Sequence, residues 1–292
     1  MFVFHALRAA VRKFIALGLP FVSVHVVCLA VIWVGWSVFA LSMAFAMYLV
    51  RAFGITAFYH RFFSHHAFKT SRPVQFAGAV LGSSAAQRGP LWWVAHHRRH
   101  HRISDKPGDL HSPLQRGLTM AHVGWQFEDQ ASPTHFDEVP DLAKFPELRF
   151  IDRHHYMAPA VLAVLLFLVG WGLGNLAPGL TDGPELLIWG FFISTVFVYH
   201  VTFSVNSLSH RWGSRPHQTT DDSRNNWLVA LLALGEGWHN NHHRFPGAAR
   251  HGFRRSQIDV THFVLRVLRR LGLVWDLRPV PSRLWLGRAA PM

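Results

Sequence analysis

Two segments share one histidine spacing: His97, His100 and His101 in "HRRHH", and His239, His242 and His243 in "HNNHH". On an α-helix, positions i, i+3 and i+4 share a face, so each triplet aims three imidazoles one way. Asn206 and His210 are also i, i+4. His60 and His65 are five apart and diverge on an ideal helix. They reach one centre only at a helix end or from opposite sides of it. A single such histidine is most simply solvated or hydrogen-bonded. Nine imidazoles in four spaced sets point instead to metal. Neutral imidazole suits Zn, Cu, Fe and Ni. Nine donors are too many for one ion, and two four-coordinate zinc ions would nearly consume them. Two five- or six-coordinate iron ions would use all nine and leave positions for water or O₂, with Asn206 placed to hold a water. Iron with open positions means redox and oxygen chemistry. Soluble di-iron bundles use paired Glu-x-x-His motifs. Here only Glu236–His239 has that form, so the carboxylate-rich plan is not met.

The elements that must position these groups are written in the charge pattern. Phe14 to Val50 contains no Lys, Arg, Asp or Glu over 37 residues. One membrane crossing needs about 20, so this run fits two passes turning near Trp33 to Ser37. His154 to His210 has no cation, and its two acids, Asp182 and Glu185, sit in the Gly/Pro-rich turn "NLAPGLTDGPE". It reads as two more passes, about Met157–Leu173 and Leu186–Thr202. The 29 cations fall outside these runs: 3 in residues 1–13, 13 in 51–153 and 13 in 211–292. The positive-inside rule makes that side cytoplasmic. The net charge of +13 is then topology plus attraction to anionic lipid heads, and no motif supports nucleic-acid binding.

The expected fold is therefore an all-α integral membrane protein, one domain over 1–292. Four transmembrane helices form two hairpins, about 14–58 and 157–205. A cytoplasmic helical cap, about 59–156 and 206–292, holds the histidine-rich di-metal site. Both termini and the site face the cytoplasm, with a bacterial inner membrane as the expected location. Residues 1–13 read as a retained interfacial helix. The lone Cys28 excludes an internal disulfide and thiolate metal sites. His5, His25 and His200 read as structural.

Beyond the boxes, "FGITAFYHRFFSH", "HHRISDKPGDLHSP", "RGLTMAHVGW" and "GEGWHNNHHRFP" follow in order. Over roughly residues 36–250 the chain resembles the membrane fatty-acyl desaturases of the stearoyl-CoA desaturase type. The resemblance implies metal ligands at His60, His65, His97, His100, His101, His210, His239, His242 and His243, with Asn206 bound through water. It implies two iron ions, O₂ as co-substrate, and removal of two hydrogens from adjacent carbons of a saturated chain near its middle. It places Gln87, Trp93 and Thr202 at a tunnel bend beside the metals, and Tyr48 and Ala52 at the tunnel end. Asp105, Asp109 and Glu236 are candidate partners behind the ligands. Animal enzymes carry polar contacts to the CoA head where this chain has Ala95 and His96. The carrier is thus open among CoA, acyl-carrier protein and membrane lipid. No haem or iron–sulfur motif is present, so electrons come from an external ferredoxin, cytochrome or flavoprotein reductase. Rival readings are a hydroxylase on the same scaffold, a histidine-rich metal transporter and a structural zinc protein. The transporter would need polar residues in the crossings, which are nearly free of them.

Overall fold

A computed structural model describes residues 18–284. The expected interfacial segment 1–13 and His5 lie outside the described residues. The first apolar run folds as α1 (Leu19–Val34), interrupted by one 3₁₀ turn at Cys28–Ala30. It stops at Gly35, whose φ of +69° is open mainly to glycine. Ser37 then caps α2 (Val38–Ser64), its hydroxyl accepting from the Ala40 N–H at 3.1 Å. The turn thus falls inside the expected window. The second run gives α6 (Met157–Leu176) and α7 (Gly183–Ser207), with Asp182 capping α7 through the Glu185 N–H. Among the described residues, α2, α6 and α7 are long and apolar enough to cross a membrane, and α1 is a shorter apolar helix. Leu166, Leu186 and Phe191 form a small core between α6 and α7, packed by Met43 and Met47 of α2.

Two features of α2 bear on the boundaries read from the sequence. The division between hairpin and cap at residues 58 and 59 falls inside α2, which runs unbroken to Ser64. Its last eleven residues, Gly54–Ser64, are wound as a π-helix. Arg51, counted just beyond the first charge-free run, lies within α2 and is only 1% exposed. Its guanidinium donates to Thr195 Oγ1 at 2.6 Å, to the Ser194 hydroxyl, and to the Met47, Ser84 and Phe191 carbonyls. These acceptors replace water, which lets a cation sit among apolar helices.

Of the other longer helices, α3 (Arg72–Ser83), α4 (Pro90–Ile103) and α10 (Val260–Arg270) pack on the π-helical end of α2. α5 (Pro146–Arg153) packs on α3 and α4, α8 (Trp227–Leu232) on α7, and α9 (His239–Arg244) brings His242 to His60. A two-residue ribbon, β1 (Lys69–Thr70) with β2 (Val274–Trp275), pairs antiparallel with Lys69 opposite Trp275. Close approach of α3 depends on glycine: a Cβ at Gly78 would stand 2.0 Å from the Phe58 ring. His25 and His200 bond to each other at 3.1 Å, and His122 extends the chain at 3.0 Å.

Candidate metal centre

Four elements deliver the nine expected histidines. The π-helical end of α2 brings His60 and His65 to ring centroids 5.0 Å apart. Residues that diverge on an α-helix converge here, because i→i+5 winding puts fivefold spacing on one face and His65 sits at the helix end. The α4 triplet contributes His97, His100 and His101, and α9 contributes His239, His242 and His243. His210 follows the end of α7.

The imidazoles form two groups. His60, His65, His97, His101 and His242 make one, and His100, His210, His239 and His243 the other. Within each, one nitrogen per ring lies within 4.8 Å of all the others. The Nε2 atoms face inward at 2.8–3.0 Å: His65 to His97, His60 to His242, His242 to His101, and His239 to both His210 and His243.

Outward, the Nδ1 atoms of four of the rings meet carboxylates. His60 Nδ1 is 2.5 Å from Glu236 and His100 Nδ1 is 3.0 Å from Asp109. His210 Nδ1 is 2.7 Å from Asp105 and His243 Nδ1 is 2.7 Å from Asp221. Three of these acids were expected from the sequence; Asp221 was not. The loop between α4 and the next helical turn delivers Asp105 and Asp109. Asp105 is fixed by Ser112 Oγ at 2.6 Å and by the Asp222 N–H at 2.8 Å.

This arrangement fits a cation. A proton held on Nδ1 by a carboxylate leaves Nε2 with a lone pair. His210 and His243 both aim such lone pairs at His239 Nε2, which has at most one proton to offer. Burial first, then the neighbouring imidazoles, push His65, His97, His239, His242 and His243 well below the usual histidine range. The rings are therefore held neutral, the form that ligates metal.

Sequence reasoning also missed a network behind Glu236. Arg61 is fully buried beside His60 and donates to Glu236 Oε1 from Nε and Nη2, at 3.1 and 2.8 Å. Its Nη1 reaches Asp259 at 3.0 Å. His251, also fully buried, places Nδ1 3.2 Å from Glu236 Oε2 and its ring 4.5 Å from His242. Burial alone would raise the Glu236 carboxyl, but His60, His251 and Arg61 hold it well below the usual range. Asp221 and His251 stand in no ligand-like spacing; only their nearness to the boxes hints at a role.

A mostly apolar cleft runs beside both groups. It is lined by Ala52, Thr56, Gln87, Trp93, Thr202 and Asn206, and by the rings of His60, His97 and His239. Gln87 Nε2 donates to Thr202 Oγ1 at 3.1 Å, and Trp93 stacks on His97. Of the expected tunnel residues, Tyr48 alone is not in this lining. Its hydroxyl donates to the Leu232 carbonyl and its ring meets Phe197 at 4.7 Å, so it packs one helical turn beyond Ala52.

Comparison with known proteins places the chain in a family. Residues 33–263 match the model of the fatty acid desaturase family. The chain is 40% identical over 255 residues to the chloroplastic palmitoyl-monogalactosyldiacylglycerol delta-7 desaturase of Arabidopsis thaliana. That match covers 86% of this chain and 65% of the relative, just under two thirds of its length. It is 37% identical to the acyl-CoA C20 Delta5-desaturase of Anemone leveillei, covering 90% of this chain and 80% of that one. It is 35% identical to an sn-1 stearoyl-lipid 9-desaturase of Synechocystis, covering 92% and 81%. On these matches, the chain belongs to the fatty acid desaturase family.

Proposed function

We propose that the protein is an O₂-dependent fatty-acyl desaturase that inserts a cis double bond near the middle of a saturated acyl chain. The observation that carries this reading is the pair of inward-facing imidazole groups, five and four, beside one apolar cleft. His60, His65, His97, His101 and His242 would hold one iron ion, and His100, His210, His239 and His243 the other. Bound there, the irons supply the oxidising power that an unactivated C–H bond demands and that no acid–base pair can provide.

The chain's own residues do the rest. Asp105, Asp109, Asp221 and Glu236 hold the Nδ1 protons of His210, His100, His243 and His60, so these four rings keep one tautomer and one orientation. Gln87 and Thr202 tie α7 to the segment before α4, fixing the cleft wall where the chain passes the imidazoles. Trp93, stacked on His97, closes the same wall and excludes water. Asn206 lines the cleft and would hold a water rather than a metal directly. Ala52 bounds the far part of the cleft, with Tyr48 packed behind it.

In the bilayer, α1 with α2 and α6 with α7 would form two hairpins, and the metal-holding cap would lie on the cytoplasmic side with both termini. The lipid-like surface of α6 supports this: Val161, Val164, Leu165, Leu168 and Trp171 are all exposed. Two electrons per turnover come from an external donor. The test is to incubate purified, iron-loaded protein with reductant, O₂ and saturated acyl substrates and to locate any double bond by mass spectrometry. A hydroxylated product, or no product with two irons bound, would overturn the reading.

A further inference from the structure

One fully buried histidine behind the metal centre belongs to neither imidazole group. His251 is absent from both the five-ring and the four-ring set. Its backbone is fastened on two sides. The N–H donates to Asp259 Oδ2 at 2.7 Å, and Asp259 pairs with Arg61 of α2. The carbonyl accepts from Asn241 Nδ2 at 2.8 Å, and Asn241 precedes His242 in α9. Arg61 also donates to the Ala249 carbonyl at 2.8 Å. The loop is thus tied both to the helix that carries His60 and to the helix that carries His242.

The ring lies behind those two ligands. Its centroid is 4.5 Å from the His242 ring and 5.3 Å from the His60 ring. His60 and His242, 182 residues apart in sequence, face each other through Nε2 atoms at 3.0 Å. Two rings from different helices therefore meet in front of a third that touches both. On the His60 side the link is polar: His251 Nδ1 stands 3.2 Å from Glu236 Oε2, the oxygen that His60 Nδ1 meets at 2.5 Å. On the other side, His242 Nδ1 and His251 Nε2 are buried with no hydrogen-bond partner among the described residues. A His242 that ligates through Nε2 carries its proton on Nδ1. A His251 whose Nδ1 proton is drawn to Glu236 keeps a lone pair on Nε2. The rings in contact thus carry complementary unpaired groups.

His60, Glu236 and His251 also place one donor atom each within 4.8 Å, but Arg61 leaves no place for a metal among them. Its buried guanidinium already gives Glu236 Oε1 two N–H bonds, at 3.1 and 2.8 Å, and an ion there would stand against that poorly screened charge. Burial first, then the Arg61 charge, hold the His251 imidazole below the usual histidine range, so the ring is neutral. We infer that His251 is a positioning residue for the five-histidine group. It backs His60 through Glu236 and His242 by direct contact, and so fixes the spacing of two ligands that come from different helices. This rests on reading that group as a metal site.

The test is anaerobic titration of the purified, metal-free full chain with Fe²⁺, followed by calorimetry. Wild type should bind two ions. His251→Phe keeps a ring but offers Glu236 nothing. It should bind one ion as wild type does and the other roughly 10–100-fold more weakly, the scale for losing a group that orients a ligand. His251→Ala should split the sites likewise, and carries the test where the Phe ring prevents folding. His251→Gln, which can still donate to Glu236, should recover most of the affinity. A merely structural residue would weaken both ions together. His251→Phe combined with Asp221→Asn should weaken both sites, because Asp221 serves the four-histidine group through His243. One site left at full strength in that double variant would overturn the inference. So would two sites equally affected, or equally unaffected, in His251→Phe and His251→Ala. A wild type that binds fewer than two ions sinks the metal reading and this inference with it. A wild type that binds two ions yet forms no unsaturated product sinks only the desaturase reading.

Discussion

Asp221 offers the sharpest test of how the histidines are held. Its Oδ1 accepts from the Ser223 N–H at 3.0 Å and from the Ser223 hydroxyl, while Oδ2 faces His243 Nδ1 at 2.7 Å. In Asp221→Asn the Ser223 N–H keeps an oxygen at the Oδ1 place. The new NH₂ must then point at His243 Nδ1, setting two donors face to face. The imidazole escapes by moving its proton to Nε2, the nitrogen that faces His239 at 3.0 Å. A protonated Nε2 cannot ligate metal, so the four-histidine group drops to three donors. Losing such a partner costs about 10–100-fold in metal affinity, or about 1.4–2.7 kcal/mol. Among the described residues Asp221 hydrogen-bonds to no ring of the five-histidine group, which should keep its ion. The assay is iron content by mass spectrometry after dialysis against a graded series of chelator. Wild type should retain two irons per chain where the variant retains one. Asp222→Asn, whose carboxylate forms only an exposed pair with Arg215, should behave as wild type. Two irons of equal chelator resistance in Asp221→Asn would refute the reasoning.

Other perturbations probe the groups, the cleft and the topology. His100→Ala leaves three imidazoles in its group, whereas His242→Ala leaves four in the other; His100→Ala should lose its ion at lower chelator concentration, and the reverse order would contradict the division into five and four. Ala52→Ile adds bulk to the cleft lining, and excluding two methylenes forfeits about 1.6 kcal/mol, so preference should move toward sixteen- over eighteen-carbon chains by roughly fifteenfold with the double bond at an unchanged distance from the carboxyl; an unaltered product profile would remove Ala52 from the tunnel end. In a Cys28→Ala background, cysteines at the exposed positions Asp182 and Ser214 should label from opposite sides of the membrane, and labelling of both from outside would refute the two-hairpin topology.

What could be read from the sequence follows from how local the cause is. The i, i+3, i+4 triplets needed only that "HRRHH" and "HNNHH" be helical, which α4 and α9 satisfy. The charge-free runs and their Gly, Pro and Asp punctuation located the turns at Gly35–Ser37 and before Gly183. The acids Asp105 and Asp109 were legible because they follow the first triplet within one short loop. The convergence of His60 and His65 was legible only as a condition, a helix end, which His65 meets; the π winding of Gly54–Ser64 that accompanies it is announced by no spacing. The burial of Arg51 was hidden for a similar reason: its acceptors, Thr195 and Ser194, come from a helix more than 140 residues away. Asp221 and His251 reach the site only through tertiary packing. The division of the nine rings has a local rule that becomes visible only once the groups are known. In each triplet the i and i+4 rings, His97 with His101 and His239 with His243, join the same group. The i+3 ring, His100 or His242, crosses to the other. Each helix therefore supplies donors to both groups, two to one and one to the other. Such crossing makes α4 and α9 a mutual brace: neither can shift along its axis without disturbing both groups at once. That gives a physical reason for the shared spacing of the two segments, beyond the need for enough imidazoles.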